Sequence, residues 1–498
     1  GGSVLFIAEE QKIAYPSIAR LDRDANQLEL VWSEKLRESA VAPTAVAYHD
    51  WVEAKPKPQA LQEFAVGILA GNSTETVTMS LLRRDLPRFI GVGPDESPFT
   101  AEIADLSTRV AQLDRSYLAI QGPPGTGKTF TASHLIHALI LSGKRVGITA
   151  TNHMAINNLL NQVVRVFEQH GDIEALKPVR QKSGSEGLPK AVKDVLKLGS
   201  NSECAKSEFK LVAGTTWVFA SAEMQQCPVD ILVVDEAGQM SLADTLASSL
   251  SAHNLLLVGD PLQLPQVTQA SHPGHSGRSV LEHILGDDVT MPADRGVFLD
   301  ESWRMHPDVC EFISELIYEG RLDSHGSCKR QNTVEGTGLR WIPVRHSGNA
   351  TSSPEEADLI IAEIQRLMGT DWTDQEGKVK SLQQKDFVIV TPYNDQRRLI
   401  RERLEANPAT ARIDVGTVDK FQGQEAVVVF FSMATSSGDN VVHGKDFLFS
   451  RNRLNVAVSR ARCLAYLVCT EELLNTRART VEEMRLISTL NAFVEWAL

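Results

Sequence analysis

The chain has 498 residues, 23% of them charged and 42% hydrophobic, and a formal net charge of −13. Its length exceeds what one core usually spans, its composition is that of soluble globular proteins, and no apolar run approaches a bilayer span, which sets membrane insertion aside. The net negative charge opposes a polyanionic partner at long range, so any nucleic-acid contact must come from a local groove. Six cysteines (Cys204, Cys227, Cys310, Cys328, Cys463 and Cys469) show no CxxC spacing. That argues against zinc or iron–sulfur sites and predicts reduced, mostly buried thiols in a cytoplasmic protein. The opening Gly-Gly-Ser lacks both an initiator Met and a signal-peptide core, and reads as a cloning scar with natural sequence upstream.

Residues 4–52 carry β-rich stretches, VLFIA, IAYPSIARL and QLELVW, separated by polar turns, which predicts a small β-barrel or sheet. AKPKPQ, after Trp51, reads as an extended connector, Leu61 to Leu69 has helical spacing, and GVGPDESP reads as a linker. Residues 1–96 are therefore expected to form an accessory domain and linker. From Phe99 the pattern becomes strands alternating with helices: YLAIQ, RVGITA, WVFAS, DILVVDE and NLLLVGD are apolar runs followed by loop signals, as in a doubly wound parallel sheet. Within this domain, 97–295, a Lys-rich stretch over 165–210 (Lys177, Arg180, Lys182, Lys190, Lys193, Lys197) predicts a helical insertion. Its charges suit either a solvated helix face or a nucleic-acid contact. A second α/β series, 296–498, runs through VFLD, a helix past Phe312 and Leu316, DFVIVTP, DVGTVD, AVVVFFSM and CLAYLVC. Ser324 to Asn349 and Gly369 to Gln384 read as surface excursions.

The chemistry centres on YLAIQGPPGTGKTF, Tyr117 to Phe130, where an apolar strand meets a glycine-rich loop and then a helix. Gly122, Gly125 and Gly127 let successive backbone N–H groups approach phosphate oxygens, with Pro123 and Thr126 in the same loop. Lys128 is placed to reach the β and γ phosphates and the Thr129 hydroxyl to ligate Mg²⁺. In ILVVDEAGQ, Asp235 and Glu236 end a buried strand, Asp235 as a Mg²⁺ ligand and Glu236 as general base toward water. Asp260 and Gln263 follow the next strand; Gln263 suits a γ-phosphate sensor or an ordinary loop amide.

GPPGTGKT, VVDEAGQ, VGDPLQLPQV, ESWRMHP, VIVTPYNDQ, VGTVDKFQGQEAVVVFFS and RLNVAVSRAR together resemble, in this order, the motifs of superfamily 1B helicases of the up-frameshift type. The resemblance covers about residues 117 to 470 and implies two tandem RecA-like domains, ATP and Mg²⁺ in the cleft, and a single strand moved 5′ to 3′. Position by position it implies that Trp303 stacks on the adenine, that Arg304 and Arg460 meet the γ-phosphate, and that Glu425 and Arg462 contact the nucleotide. Arg460 and Arg462 also suit a pair complementing a helix C-terminus. Gln422 and Gly423 fall in the motif that couples nucleotide to strand. Thr151, Asn152, Thr215, Thr391, Pro392 and Thr417 are implicated in holding the strand backbone. One departure stands out: FTAEIADLSTRVAQ has Asp105 and no Gln before Gln112, where the family reads the adenine edge, so discrimination among nucleotides is expected to be modest.

The expectation is an ATP-dependent translocase and helicase on single strands, DNA preferred over RNA by analogy with nuclease-fused members, with a nuclease domain upstream. Alternatives are an RNA helicase, a nucleic-acid-stimulated clamp or remodeller that does not unwind, and a small-molecule NTPase. Lys128, Asp235, Glu236 and Gln263 belong to the first domain and Arg304 and Arg460 to the second, so the γ-phosphate meets all its cations only when the cleft closes.

Overall fold

Apolar runs flanked by turn signals can bury both faces only in a parallel sheet covered on both sides by helices, and the chain builds two such sheets. The computed structural model describes residues 3–7, 13–22, 27–39, 45–49, 53–71, 75–91, 99–177, 179–181, 192, 196–266, 268, 272–421 and 424–498. It divides into two compact units, 1–55 and 56–498. In the first unit, strand Ser3–Ile7 pairs antiparallel with Ile13–Ala14 and with Ala47–His49, Ile18–Asp22 pairs antiparallel with Gln27–Leu30, and Glu34–Ser39 is a helix.

The first α/β domain of the larger unit contains β1 (Tyr117–Gln121), α1 (Lys128–Leu141), β2 (Val146–Thr149), α2 (His153–His170), β3 (Val179–Gln181), β4 (Leu196–Leu198), β5 (Leu211–Ala213), β6 (Val229–Val234), β7 (Ala252–Gly259) and β8 (Gly296–Phe298). Its eight strands run in the order β8-β1-β7-β6-β2-β5-β3-β4, and all neighbours are parallel. Alternation along β1 serves two cores. Leu118 and Ile120 pack with Leu135, Ile136 and Leu139 of α1, while Tyr117 and Ala119 join Leu281 and Ile284 on the opposite face.

The second domain has strands β9 (Gly338–Pro343), β10 (Phe387–Thr391), β11 (Asp414–Thr417), β12 (Ala426–Ser432) and β13 (Ala461–Cys469), in the order β9-β13-β12-β10-β11 and again all parallel. Helices α4 (Pro354–Leu367) and α5 (Asn394–Glu405) cover one face; α3 (Pro307–Ile317), α6 (Arg451–Val458) and α7 (Val481–Ala497) cover the other. The core on this second face is continuous with that of the first domain through Phe298 and Tyr318.

Several expectations change. VFLD belongs to the first sheet: β8 pairs with β1, so the second domain's sheet begins only at β9, inside the stretch read as a surface excursion. β9 is an edge strand with a half-buried Arg340 and Trp341, which is why GLRWIP lacks a clean apolar signal. WVFAS is not a strand: Thr216–Phe219 is a short helix with Thr215 at its N-cap, and the strand is the preceding β5. The insertion over 165–210 is not simply helical, because β3 and β4 extend the sheet; Lys182, Lys190 and Lys193 lie outside the described residues. AKPKPQ is not an extended connector throughout, since a helix starts at Lys57. That helix and Val77–Arg83 belong with the first α/β domain: Ala60 packs on Ala220 and Ala247, and the Thr78 and Ser249 hydroxyls lie 2.8 Å apart. The accessory part is therefore shorter than 1–96.

All six cysteines are free thiols, five of them buried. Among the described residues no helix is long and apolar enough to cross a membrane.

Arg145, at the amino end of β2, fixes this edge of the sheet. Its guanidinium is buried and donates to the carbonyls of Phe209 (3.2 Å), Cys227 (2.6 Å) and Cys204 (2.8 Å), and its backbone N–H donates to Asp230 Oδ2 at 2.7 Å. Arg145→Met keeps the apolar stem and strips three carbonyls of their donor, so it should cost about 2–4 kcal/mol. Guanidinium unfolding followed by circular dichroism measures this; a loss under about 0.5 kcal/mol would show that the carbonyls find other partners.

Candidate functional site

The carboxyl ends of β1 and β7 are laced together where Gly122 N–H donates to Gly259 O at 2.9 Å, and the glycine loop starts there. Gly125 and Gly127 take φ of 80° and 81°, which glycine adopts at little cost. A Cβ on Gly122 would collide with Lys128 Cγ, and one on Gly125 would lie 2.6 Å from Ser302 Oγ and 2.7 Å from Arg304 Cβ. The loop is thus a cradle that side chains would fill, and its far wall is the segment carrying Trp303 and Arg304. Trp303 N–H donates to Gly125 O at 2.9 Å and Ser302 Oγ to Pro124 O at 3.1 Å, while Thr126 Oγ1 closes the loop on Pro123 O at 2.8 Å.

Lys128 Nζ donates to Gly122 O at 2.5 Å and Pro123 O at 3.3 Å. Desolvation lowers its pKa, Asp260, Glu236 and Asp235 act in the opposite direction, and Arg304 adds to the lowering. Asp235 is buried and accepts the Glu236 N–H at 3.0 Å; burial and the adjacent Glu236 raise its pKa. Glu236 itself sits at φ 54°, a left-handed conformation that costs a non-glycine residue about 1–3 kcal/mol and collects at functional sites. Asp235, beside the N-terminus of α1 with Thr129 in its first turn, and the Thr129 hydroxyl are hard oxygen donors of the kind that suits a divalent cation.

The connection between the domains and the second domain bring cations to the same place: Arg304, expected in the second domain, lies between β8 of the first sheet and α3, whereas Arg460 and Arg462 lie at the amino end of β13. Arg304 donates to Glu425 Oε2 at 2.7 Å and to Ser459 O at 3.0 Å, and Arg462 grips the other oxygen of Glu425. Although burial works against its charge, these two guanidinium groups hold Glu425 below the usual carboxylate range. Arg460 is 2% exposed, donates from Nη1 to Gln424 O at 3.3 Å, and has no partner for Nε and Nη2 among the described residues. Burial, with Arg304 alongside, lowers its pKa to about 9, and Glu236 acts against that. A buried arginine with two undirected N–H groups suits an incoming anion.

Sequence reasoning missed two parts of this site. Asp260 accepts from Gln263 Nε2 at 2.7 Å and from Tyr318 OH at 2.6 Å, and Asn455 of α6 donates to Tyr318 OH at 2.8 Å and to Leu262 O at 2.8 Å. This buried chain ties the Gln263 loop to the RLNVAVSRAR helix; burial and the Asp260 charge keep the Tyr318 phenol protonated as a donor. Trp303, 52% exposed, stacks on His325 with centroids 3.5 Å apart and 18° between planes. His325 covers one face of the indole, and the ring remains half exposed. No motif pointed to Tyr318 or His325, whereas Asn455 lay inside a quoted one.

The expected strand contacts divide. Thr151 and Asn152 are exposed after β2, the Asn152 side-chain oxygen capping α2 through Ala155 N–H at 2.9 Å; Thr215 and Thr417 are half-buried at strand ends. Thr391 and Pro392 are buried, and the exposed residues beyond β10 are Asn394 and Asp395. Gln422 and Gly423 fall outside the described residues. Asp105 is paired with Arg109 (3.2 Å) and Thr100 (2.9 Å).

A glycine loop and acidic strand end on one parallel sheet, faced by one arginine from the connection to a second sheet and another from that sheet, define a phosphate-loop nucleotide-binding protein of two α/β domains. Two AAA-domain family models match, over residues 108–269 and 277–472. The chain is 27% identical over 376 residues to the DNA replication ATP-dependent helicase/nuclease JHS1 of Arabidopsis thaliana, covering 70% of this chain and 26% of that protein. It is 26% identical over 403 residues to the DNA polymerase alpha-associated DNA helicase A of Schizosaccharomyces pombe (69% and 59%), and 24% identical over 489 residues to the DNA-binding protein SMUBP-2 of Mus musculus (83% and 46%). It therefore spans between about a quarter and three fifths of the length of these relatives. Across both α/β domains the chain is thus similar to superfamily 1 helicases of the up-frameshift type.

Lys128→Ala should abolish hydrolysis and weaken nucleotide binding, because the loop loses its side-chain cation. Glu236→Gln should still bind ATP while turnover falls, by about 10²-fold or more, since only water activation is removed. Equilibrium binding of a fluorescent ATP analogue beside steady-state hydrolysis separates the two; equal loss of affinity in both variants would contradict these roles.

Proposed function

We propose that the chain is an ATP-dependent single-strand translocase and helicase moving 5′ to 3′, with DNA as its preferred strand. The observation that carries this reading is the convergence on one spot of Lys128, Asp235 and Glu236 from the first sheet, Arg304 from the connection between the domains and Arg460 from the second sheet. The relatives' names, each specifying DNA, support the choice of strand.

In this reading the loop N–H groups and Lys128 bind the triphosphate, and the free face of Trp303 takes the base. Mg²⁺, held by Thr129 and Asp235, would screen the β and γ oxygens. Glu236 accepts the proton of the attacking water. Arg460 and Arg304 meet charge developing on the γ-phosphate in a rigid fork, and Gln263, held by Asp260, senses that phosphate. Because Asp260 is bonded through Tyr318 to Asn455, a shift of the Gln263 loop is passed to the helix that precedes Arg460. A strand resting on Thr151, Asn152 and Thr215 on one side and on Thr417 and the exposed Asn394 after β10 on the other favours the arrangement in which all these groups meet. Hydrolysis then alternates tight and loose grips on the strand. A clamp that grips without unwinding uses the same groups, and displacement of a tailed duplex separates it from a helicase.

The test is the hydrolysis rate with single-stranded DNA, with single-stranded RNA and with neither. Arginine fingers contribute about 10³ to 10⁵ in rate, so a strand should stimulate strongly, DNA more than RNA, and Arg460→Ala should lose the stimulation while retaining ATP binding. Equal wild-type rates with and without a strand, or full stimulation of Arg460→Ala, would overturn the mechanism.

A further inference from the structure

Beyond the nucleotide site, the first domain holds a second cavity of 310 Å³ at the carboxyl edge of its sheet. Its walls include Thr151 after β2, Trp217 after β5, Gln239 after β6, and Gln266 after β7. Ligands of open parallel sheets sit beyond the carboxyl ends of the strands, and four strands converge here. The volume is at the lower limit of ligand pockets, enough for a single ring system.

Its polar chemistry is unusual. Gln239 Nε2 and Gln266 Oε1 are shielded from solvent and have no hydrogen-bond partner among the described residues. One is a donor and the other an acceptor, and buried amide atoms are seldom left unpaired. The charge at the cavity is already cancelled: Lys57 Nζ lies 2.8 Å from Asp244 Oδ1 and 3.5 Å from the centroid of the Trp217 ring. No Lys, Arg or His lines the cavity among the described residues, so a phosphate would find no cation there. A flat, neutral group with both a donor and an acceptor on its edge is what the walls match.

We propose that this cavity takes one nucleobase of the bound strand, turned out of the stack, with Trp217 as its apolar wall and the carboxamides of Gln239 and Gln266 meeting its edge. The proposal rests on the strand-binding reading, since Thr151 at the mouth is one of the residues expected to hold the strand. Turning out a base costs little in a strand that is already single, and every base edge carries both a donor and an acceptor, so the pocket should accept all four bases. It would be a grip on bases in a protein whose other expected strand contacts are to the backbone.

The experiment compares binding of the full chain, by fluorescence anisotropy, to an oligothymidylate of about ten nucleotides and to the same strand with every base removed. Stacking per base corresponds to roughly 5- to 150-fold in affinity, so the wild type should prefer the strand with bases by at least that factor. Trp217→Ala and Gln266→Leu should each reduce the preference by about fivefold or more and leave affinity for the abasic strand unchanged. Thermal melting reports folding, and Gln266→Leu, in the loop after β7, carries the test if Trp217→Ala does not fold. Equal wild-type affinity for both strands, or variants that keep the full preference, would overturn the pocket and leave the strand-binding reading intact. Binding of neither strand would remove both.

Discussion

Everything in the larger unit depends on holding a lysine ammonium away from water among carboxylates. Lys128 rests on the carbonyls of its own loop while Asp260, Glu236 and Asp235 supply the opposing charge that lets a desolvated cation persist. Such a centre binds a polyanion because the anion replaces contacts the lysine already has with stronger ones. The glycines of the loop, the left-handed Glu236 and the lacing of β1 to β7 all follow from bringing backbone and carboxylates this close.

A single α/β domain could hold a nucleotide this way but would not complete the set of cations. The connection from β8 to α3 contributes Arg304, seated against Gly125 and anchored by Glu425 of the second domain, and the amino end of β13 contributes Arg460, buried with two of its nitrogens undirected. Glu425 serves both Arg304 and Arg462, so the arginines share one counter-charge and do not collapse onto the carboxylates of the first domain. The Asp260–Tyr318–Asn455 chain links the two sides through neutral and charged hydrogen bonds in a dry setting, where each link is expensive to break. Nucleotide chemistry and domain geometry are coupled through these contacts.

Much of this was legible in the sequence, for physical reasons. Buried parallel strands such as YLAIQ and AVVVFF announce themselves by uninterrupted apolar runs, and the glycine loop has a spacing that few other structures require. The failures share a cause. The edge strand GLRWIP carries too little apolar character to stand out, and WVFAS, β-rich by composition, became helix because β5 just before it already filled the sheet position. VFLD was assigned to the wrong domain because sequence order does not reveal that β8 returns to pair with β1. At the site, residues within motifs were found, whereas Tyr318 and His325 owe their roles to tertiary contact alone.

The central claim is that the two sheets jointly complete the γ-phosphate site. It is tested most directly by a structure of the chain with a single strand and ADP–aluminium fluoride, a mimic of the transferring phosphate. The account predicts Arg460 and Arg304 nitrogens at about 3 Å from the fluoride ligands, with Glu236 within hydrogen-bond reach of the attacking water. An Arg460 guanidinium that stays on Gln424 and more than about 6 Å from the fluorides would contradict it.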